Sequence, residues 1–126
     1  MPNQLPRVVQ EPDLKVRTRN FALRIIRLYS ALPKTTLAQV MGKHLLRSGT
    51  SVGANYREAL RARSHAEYAA KLNIALMELE ETLYWLELLE AARVFSSGRL
   101  ARLQGETGEL TAIFVSLIKK WKCRDS

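Results

Sequence analysis

Between Ser64 and about Ala92 apolar residues return at the period of one long helix. Ser64 with Glu67 three residues on forms a capping box, in which hydroxyl and carboxylate satisfy end-of-helix N–H groups, and neither Gly nor Pro occurs from there to Ala92. Leu72, Leu76, Leu79, Leu83 and Leu86 recur at spacings of four and three and predict a core face. Ile74, Met77, Trp85, Leu88 and Ala92 make a second apolar stripe on nearly the opposite side, interrupted by Glu81. A helix at the edge of a small monomeric bundle buries one stripe, so the second is expected to meet another layer of protein, most simply another subunit. The alternative is that the chain's own helices wrap both sides.

The other segments organise around this one. Residues 1–12 hold Pro2, Pro6 and Pro12 among polar residues, which predicts an extended or disordered arm. Asp13 can cap a first helix to about Leu32, with Phe21, Ile25, Leu28 and Leu32 on one face. Pro33 ends it, and Thr36 with Gln39 offers a second capping box for a helix running to about Ala62. The middle of that helix, Ser48 to Ala54, is rich in Gly and hydroxyl residues, so tertiary packing must hold it and a neighbour can approach closely. After a loop near Arg93–Ser97, residues Leu100, Leu103, Thr107, Leu110, Phe114, Leu117 and Trp121 repeat at alternating three and four. Four amphipathic segments with short connections predict a single all-α domain over residues 13–126, an antiparallel up-down-up-down four-helix bundle.

Composition agrees with that class, since 126 residues with only four prolines and six glycines make one helical domain. Charge changes the picture more. The net +8 is uneven: residues 1–63 carry 12 basic and 3 acidic groups, residues 64–92 carry 1 and 6, and residues 93–126 carry 7 and 3. Such a distribution favours an anionic partner, nucleic acid before membrane, although the acidic third segment can also neutralise its neighbours. Cys123 is the single cysteine, which excludes an intrachain disulfide. With no apolar core of a signal peptide and no run able to span a bilayer, a cytoplasmic protein is expected.

Enzyme chemistry finds little support. A di-iron bundle needs Glu-x-x-His pairs, and although Glu58, Glu78 and Glu81 could cluster, neither His44 nor His65 follows a Glu at that spacing. His65 reads as an exposed neighbour of the cap and His44 as a rim residue, and no phosphate-binding glycine loop is present. No catalytic residue, metal or cofactor is expected. Glu81, within an apolar stripe, needs a basic partner, for which Arg47 or Arg57 is in reach. Lys43, Arg47, Arg57 and Arg61 fall on one stripe of the second helix, and Arg17, Arg24 and Arg27 line the first. These seven are candidate phosphate contacts. A solvated face with ion pairs to the third helix is the equal alternative. Lys119, Lys120, Trp121, Lys122 and Arg124 form a basic cluster that equally suits a helix C-terminus, with Trp121 in the core by its phase.

The residues Leu45–Arg47, Ser51 to Ala59, Ser64 to Tyr68, Ala75 to Thr82 and Tyr84 to Leu86 resemble a family of bacterial four-helix-bundle proteins encoded within intervening sequences of 23S ribosomal RNA genes. Its marks, an Asn-x-x-Glu after a Ser-hydrophobic pair and a Glu-x-x-Glu-Thr followed by an aromatic, are matched by Asn55, Glu58, Glu78, Glu81 and Thr82. Gly53 stands where many members have Pro, and Ala59 where many have Gly. The resemblance implies a ring of subunits, a homopentamer, with Ile74, Met77, Trp85 and Leu88 as candidate interface residues. It extends, distantly, to the basic pentameric accessory proteins of diversity-generating retroelements. It implies association with ribosomal RNA and no catalytic residue. Asn55, Glu58, Glu78, Glu81 and Thr82 are then expected to form a structural polar network fixing helix register. The alternative function is an oligomeric scaffold for a partner enzyme, with the basic residues used in subunit pairing.

Overall fold

The computed structural model describes residues 6–125, with side chains placed over residues 14–96 and 98–120. Those residues form four helices and no strand: α1 (Pro6–Ser30), α2 (Thr36–Ala59), α3 (His65–Ala91) and α4 (Ser97–Asp125). The expected extended arm is corrected over residues 6–12, which are helical, while residues 1–5 lie outside the described residues. Pro6 takes the first helical position, where its missing N–H would have had no partner and its fixed φ suits a helix. Asp13 therefore lies inside α1 and does not cap it.

The start of α2 also differs by one residue. Thr35, extended at φ −74° and ψ 155°, is the N-cap and accepts from the Ala38 N–H at 3.2 Å. Gln39 does not close a box with Thr36; its amide donates to the Pro33 carbonyl at 2.9 Å and its oxygen accepts from the Tyr29 hydroxyl at 3.2 Å, which ties the loop to both helices. At α3 the hydroxyl half of the box forms as expected, with the Glu67 N–H reaching Ser64 Oγ at 3.0 Å, while the Glu67 carboxylate accepts from the N–H of Arg63, one residue before the cap, at 2.9 Å. The C-terminus of α3 closes as a Schellman motif, with Val94 N–H on the Leu89 carbonyl and Arg93 N–H on the Glu90 carbonyl, both at 3.0 Å. Arg93 takes the left-handed position usually given to Gly, at φ 56°. This turn sets Phe95 against the core.

Successive helices pack on one another, whereas α1 and α4 meet only sparsely. Between α2 and α3 the partners descend in order: His44 with Trp85, Ser48 with Thr82, Glu58 with Lys71. Between α1 and α2 they do the same, and the glycines explain how close the helices come. A Cβ on Gly42 would meet Leu32 at 2.6 Å, and one on Gly49 would meet Ile25 at 2.8 Å. The glycine-rich stretch that weakens α2 in isolation is thus what admits α1.

The core stripe of α3 is Leu72, Ala75, Leu79, Thr82, Leu86 and Leu89; Leu76 and Leu83 flank it, half-buried. Leu72, Leu79, Leu86 and Leu89 are fully buried, each contributing about 1.5–3 kcal/mol of transfer free energy. On α4 the repeat holds through Leu100, Leu103, Thr107, Leu110 and Phe114 and then slips by one: Ile118 is buried and Leu117 half-buried. A straight helix at 3.6 residues per turn drifts against a seven-residue repeat, and here the drift is taken up in one step. Trp121 lies outside the residues with described side chains.

Candidate nucleic-acid interface

The structure divides the seven candidate phosphate contacts. Arg17 is not on a free surface: its guanidinium grips Glu106 of α4 with two hydrogen bonds, 2.8 and 2.9 Å, and also reaches Glu109. The Glu106 carboxylate, ahead of Glu109, raises the Arg17 pKa above its ordinary value. Arg47 is likewise engaged, 2.8 Å from Glu81 and 3.4 Å from Glu78, and Glu81, then Glu78, raise its pKa. Lys43, Arg57 and Arg61 are exposed, with Arg61 just beyond the end of α2.

Arg24 and Arg27 remain, and α1 brings them to a place to which the sequence does not point. They face Arg99 and Arg102 of α4 across an open groove of about 420 Å³, with Leu28 and Leu103 also lining it. Both leucines are buried, so the groove has a closed apolar floor and arginines on each wall. No carboxylate lines it, and among the described residues none pairs with any of these four arginines. Arg99 is held at one end by Phe95, with its Cζ 5.2 Å from the ring centroid. Sequence reasoning misses Arg99 and Arg102, because the apolar repeat dominates α4. A signal for them exists: their three-residue spacing matches that of Arg24 and Arg27, and adjacency of first and last helices in a bundle pairs the two sets.

The expected five-residue polar network is corrected: it splits. Thr82 Oγ1 lies 2.9 Å from Ser48 Oγ and 2.8 Å from the Glu78 carbonyl, wholly buried between α2 and α3. Glu78 and Glu81 share Arg47, and Glu81 also accepts from the Trp85 indole N–H at 3.1 Å. Trp85, then Arg47, lower the Glu81 pKa. Arg47 is therefore the basic partner that Glu81 required, supplied within the chain. Asn55 and Glu58 stand apart: the Asn55 amide donates to the Ser51 carbonyl at 2.9 Å in its own helix, and Glu58 pairs with Lys71 at 2.8 Å. Asn55 lies two turns beyond Ser48, about 10 Å further along the axis, and α3 descends as α2 rises.

Outward from that cluster the chain leaves apolar surface. Ile74 (39 %), Met77 (64 %) and Tyr84 (53 %) are exposed on α3, as are Leu37 and Val40 on α2, while Trp85 and Leu88 are half-buried. The chain's own helices thus do not cover the second stripe of α3. His44 is more than a rim residue, for its ring stacks on Trp85 at 4.5 Å and 10°. Among the described residues no cluster of His, Cys, Asp and Glu could hold a metal ion, and no helix is long and apolar enough to cross a membrane.

These features define a protein that is all-helical over the described residues. The family model described as 23S rRNA-intervening sequence protein matches residues 12–116, and the chain belongs to that family. The crystal structure of a protein with unknown function from the S23 ribosomal protein family of Bacteroides thetaiotaomicron VPI-5482 is similar, with 42% sequence identity and a TM-score of 0.80. The match covers 84% of this chain and 98% of that one. No curated protein matches. Neither the family's description nor that neighbour's names a reaction.

Proposed function

We propose that this protein is a non-enzymatic, self-assembling four-helix bundle that associates with RNA through the groove between α1 and α4. The carrying observation is that Arg24, Arg27, Arg99 and Arg102 line one groove without a carboxylate, whereas Arg17 and Arg47 are neutralised by acids of the same chain. Four unmatched guanidinium groups on facing walls repel one another, and an anionic backbone relieves that repulsion. The family's description, naming the 23S rRNA intervening sequence, makes ribosomal RNA the first candidate. The descending order of helix partners supports the antiparallel up-down-up-down arrangement. Exposure of Ile74, Met77 and Tyr84 supports assembly through α3, in a cytoplasmic ring for which the family resemblance implies a homopentamer.

The test is anisotropy of labelled RNA across a salt series. An Arg24→Glu/Arg102→Glu variant that keeps its fold and mass should lose binding and flatten the log-log salt slope, whereas Arg57→Glu/Arg61→Glu should lose much less. Light scattering on Met77→Glu/Tyr84→Glu should give a smaller species. A second reading, an oligomeric platform for a partner protein, is favoured by the large apolar side chains left exposed on two helices, Ile74, Met77 and Tyr84 of α3 and Leu37 and Val40 of α2. Intact assembly with no RNA binding at moderate salt would select it.

A further inference from the structure

The same groove, granted the nucleic-acid role proposed for it, has a shape that chooses among nucleic acids. We infer that it takes a single strand rather than a duplex, with phosphates between the α1 and α4 arginines and a base stacked on Arg99. Its arginines stand on both walls, in pairs spaced three residues apart, over the buried Leu28 and Leu103. Side chains at that spacing lie about 5–6 Å apart at Cβ, so each wall offers two successive cationic positions along the groove. A ligand that satisfies both walls must enter between them. A groove of about 420 Å³ between two arginine-bearing walls has room for one sugar-phosphate chain and not for a duplex. A duplex, whose phosphates lie on a broad convex cylinder, would touch only the rims.

Phe95 supplies the second half of the inference. The ring is half-buried against the core and holds Arg99 over one face, so this guanidinium is placed before any ligand arrives. A guanidinium backed by an aromatic ring is a stacking surface for an unpaired base as well as a cation for a phosphate. Arg24, Arg27 and Arg102 have no such support among the described residues. Arg99 is thus the base-stacking position and the other three are phosphate positions.

The experiment compares a short labelled single-stranded RNA with a hairpin duplex of the same length, with ATP as competitor. The proteins are wild type, Arg99→Lys, Phe95→Leu and Arg24→Ala/Arg102→Ala, each checked for helicity and mass. The wild type should prefer the single strand, and ATP should compete only weakly because it fills one position. Arg99→Lys keeps the charge and loses the plane, so single-strand affinity should fall at least about fivefold with the salt slope unchanged. Phe95→Leu should reproduce that loss. Arg24→Ala/Arg102→Ala should reduce the slope by roughly 0.7 for each phosphate contact removed. Equal affinity for the duplex, wild-type affinity in Arg99→Lys, or competition by ATP as strong as by the strand overturns the single-strand inference alone, provided Arg24→Ala/Arg102→Ala still weakens binding. If wild type binds neither RNA, or that double variant binds both as wild type does, the nucleic-acid reading falls with it.

Discussion

The α2–α3 seam and the α1–α4 seam use the same residue types to opposite ends. At α2–α3 charged groups meet their complements within the chain: Arg47 lies between Glu78 and Glu81, Lys71 pairs with Glu58, and a buried Ser48–Thr82 contact sits beneath. The positive groups there are matched across the seam between α2 and α3. At α1–α4 the clamp of Arg17 on Glu106 and Glu109 holds one stretch of the seam, and further along four arginines face one another without an acid. The contrast teaches that net charge is a poor guide to a binding surface. What matters is the charge left over after the chain's own acids are placed, and four of those unmatched groups line one groove at the seam where the helices touch least.

Three experiments probe this comparison. The largest effect should come from the tight seam: Leu79→Ala removes a fully buried side chain of α3 and should cost about 2–5 kcal/mol, read as a lowered denaturation midpoint, whereas Leu117→Ala, half-buried beside α1, should cost clearly less. Similar losses at both sites would mean that the seams are equally packed. Next comes the clamp. A double-mutant cycle on Arg17→Ala and Glu106→Ala should give a coupling of about 1 kcal/mol that shrinks with added salt, since both groups are only partly buried. No coupling would mean that the clamp does not fix the α1–α4 seam.

The smallest effect concerns acid. Because the Trp85 indole and then Arg47 lower the Glu81 pKa, the ionised form stabilises the folded chain above the ordinary value of 4.5, and this contribution is lost as the pH falls through the lowered value. Glu81→Gln should therefore melt lower than wild type near neutral pH and converge with it in acid. A constant difference in melting temperature over that range would show that Glu81 acts through packing rather than through its charge.

Much of the fold is legible in the sequence because its signals are local. The Ser64–Glu67 box, the buried leucines of α3 and the first face of α1 all rest on spacings within one helix. The misplacements have physical causes. Pro6 reads as a breaker in a proline-rich stretch, yet at a first helical position proline is accommodated, a reason that does not extend to Pro12 within α1. Asn55 and Glu58 share a helix face with Arg47, which suggests a common network with Glu78 and Glu81, but axial distance separates them. The candidate site is half legible. Arg24 and Arg27 stand out by their stripe, while Arg99 and Arg102 gain their meaning only from the helix that lies beside α4.

By itself the sequence determined the helical class, most helix limits and which face of each helix turns inward, since periodicity and capping act over a few residues. Only the tertiary structure decided which basic groups stay unmatched. That depends on which helix edges meet, and so on residues far apart in the chain, such as Arg17, which reaches Glu106, or Arg24 and Arg102, which come to line one groove, and no local pattern encodes their meeting.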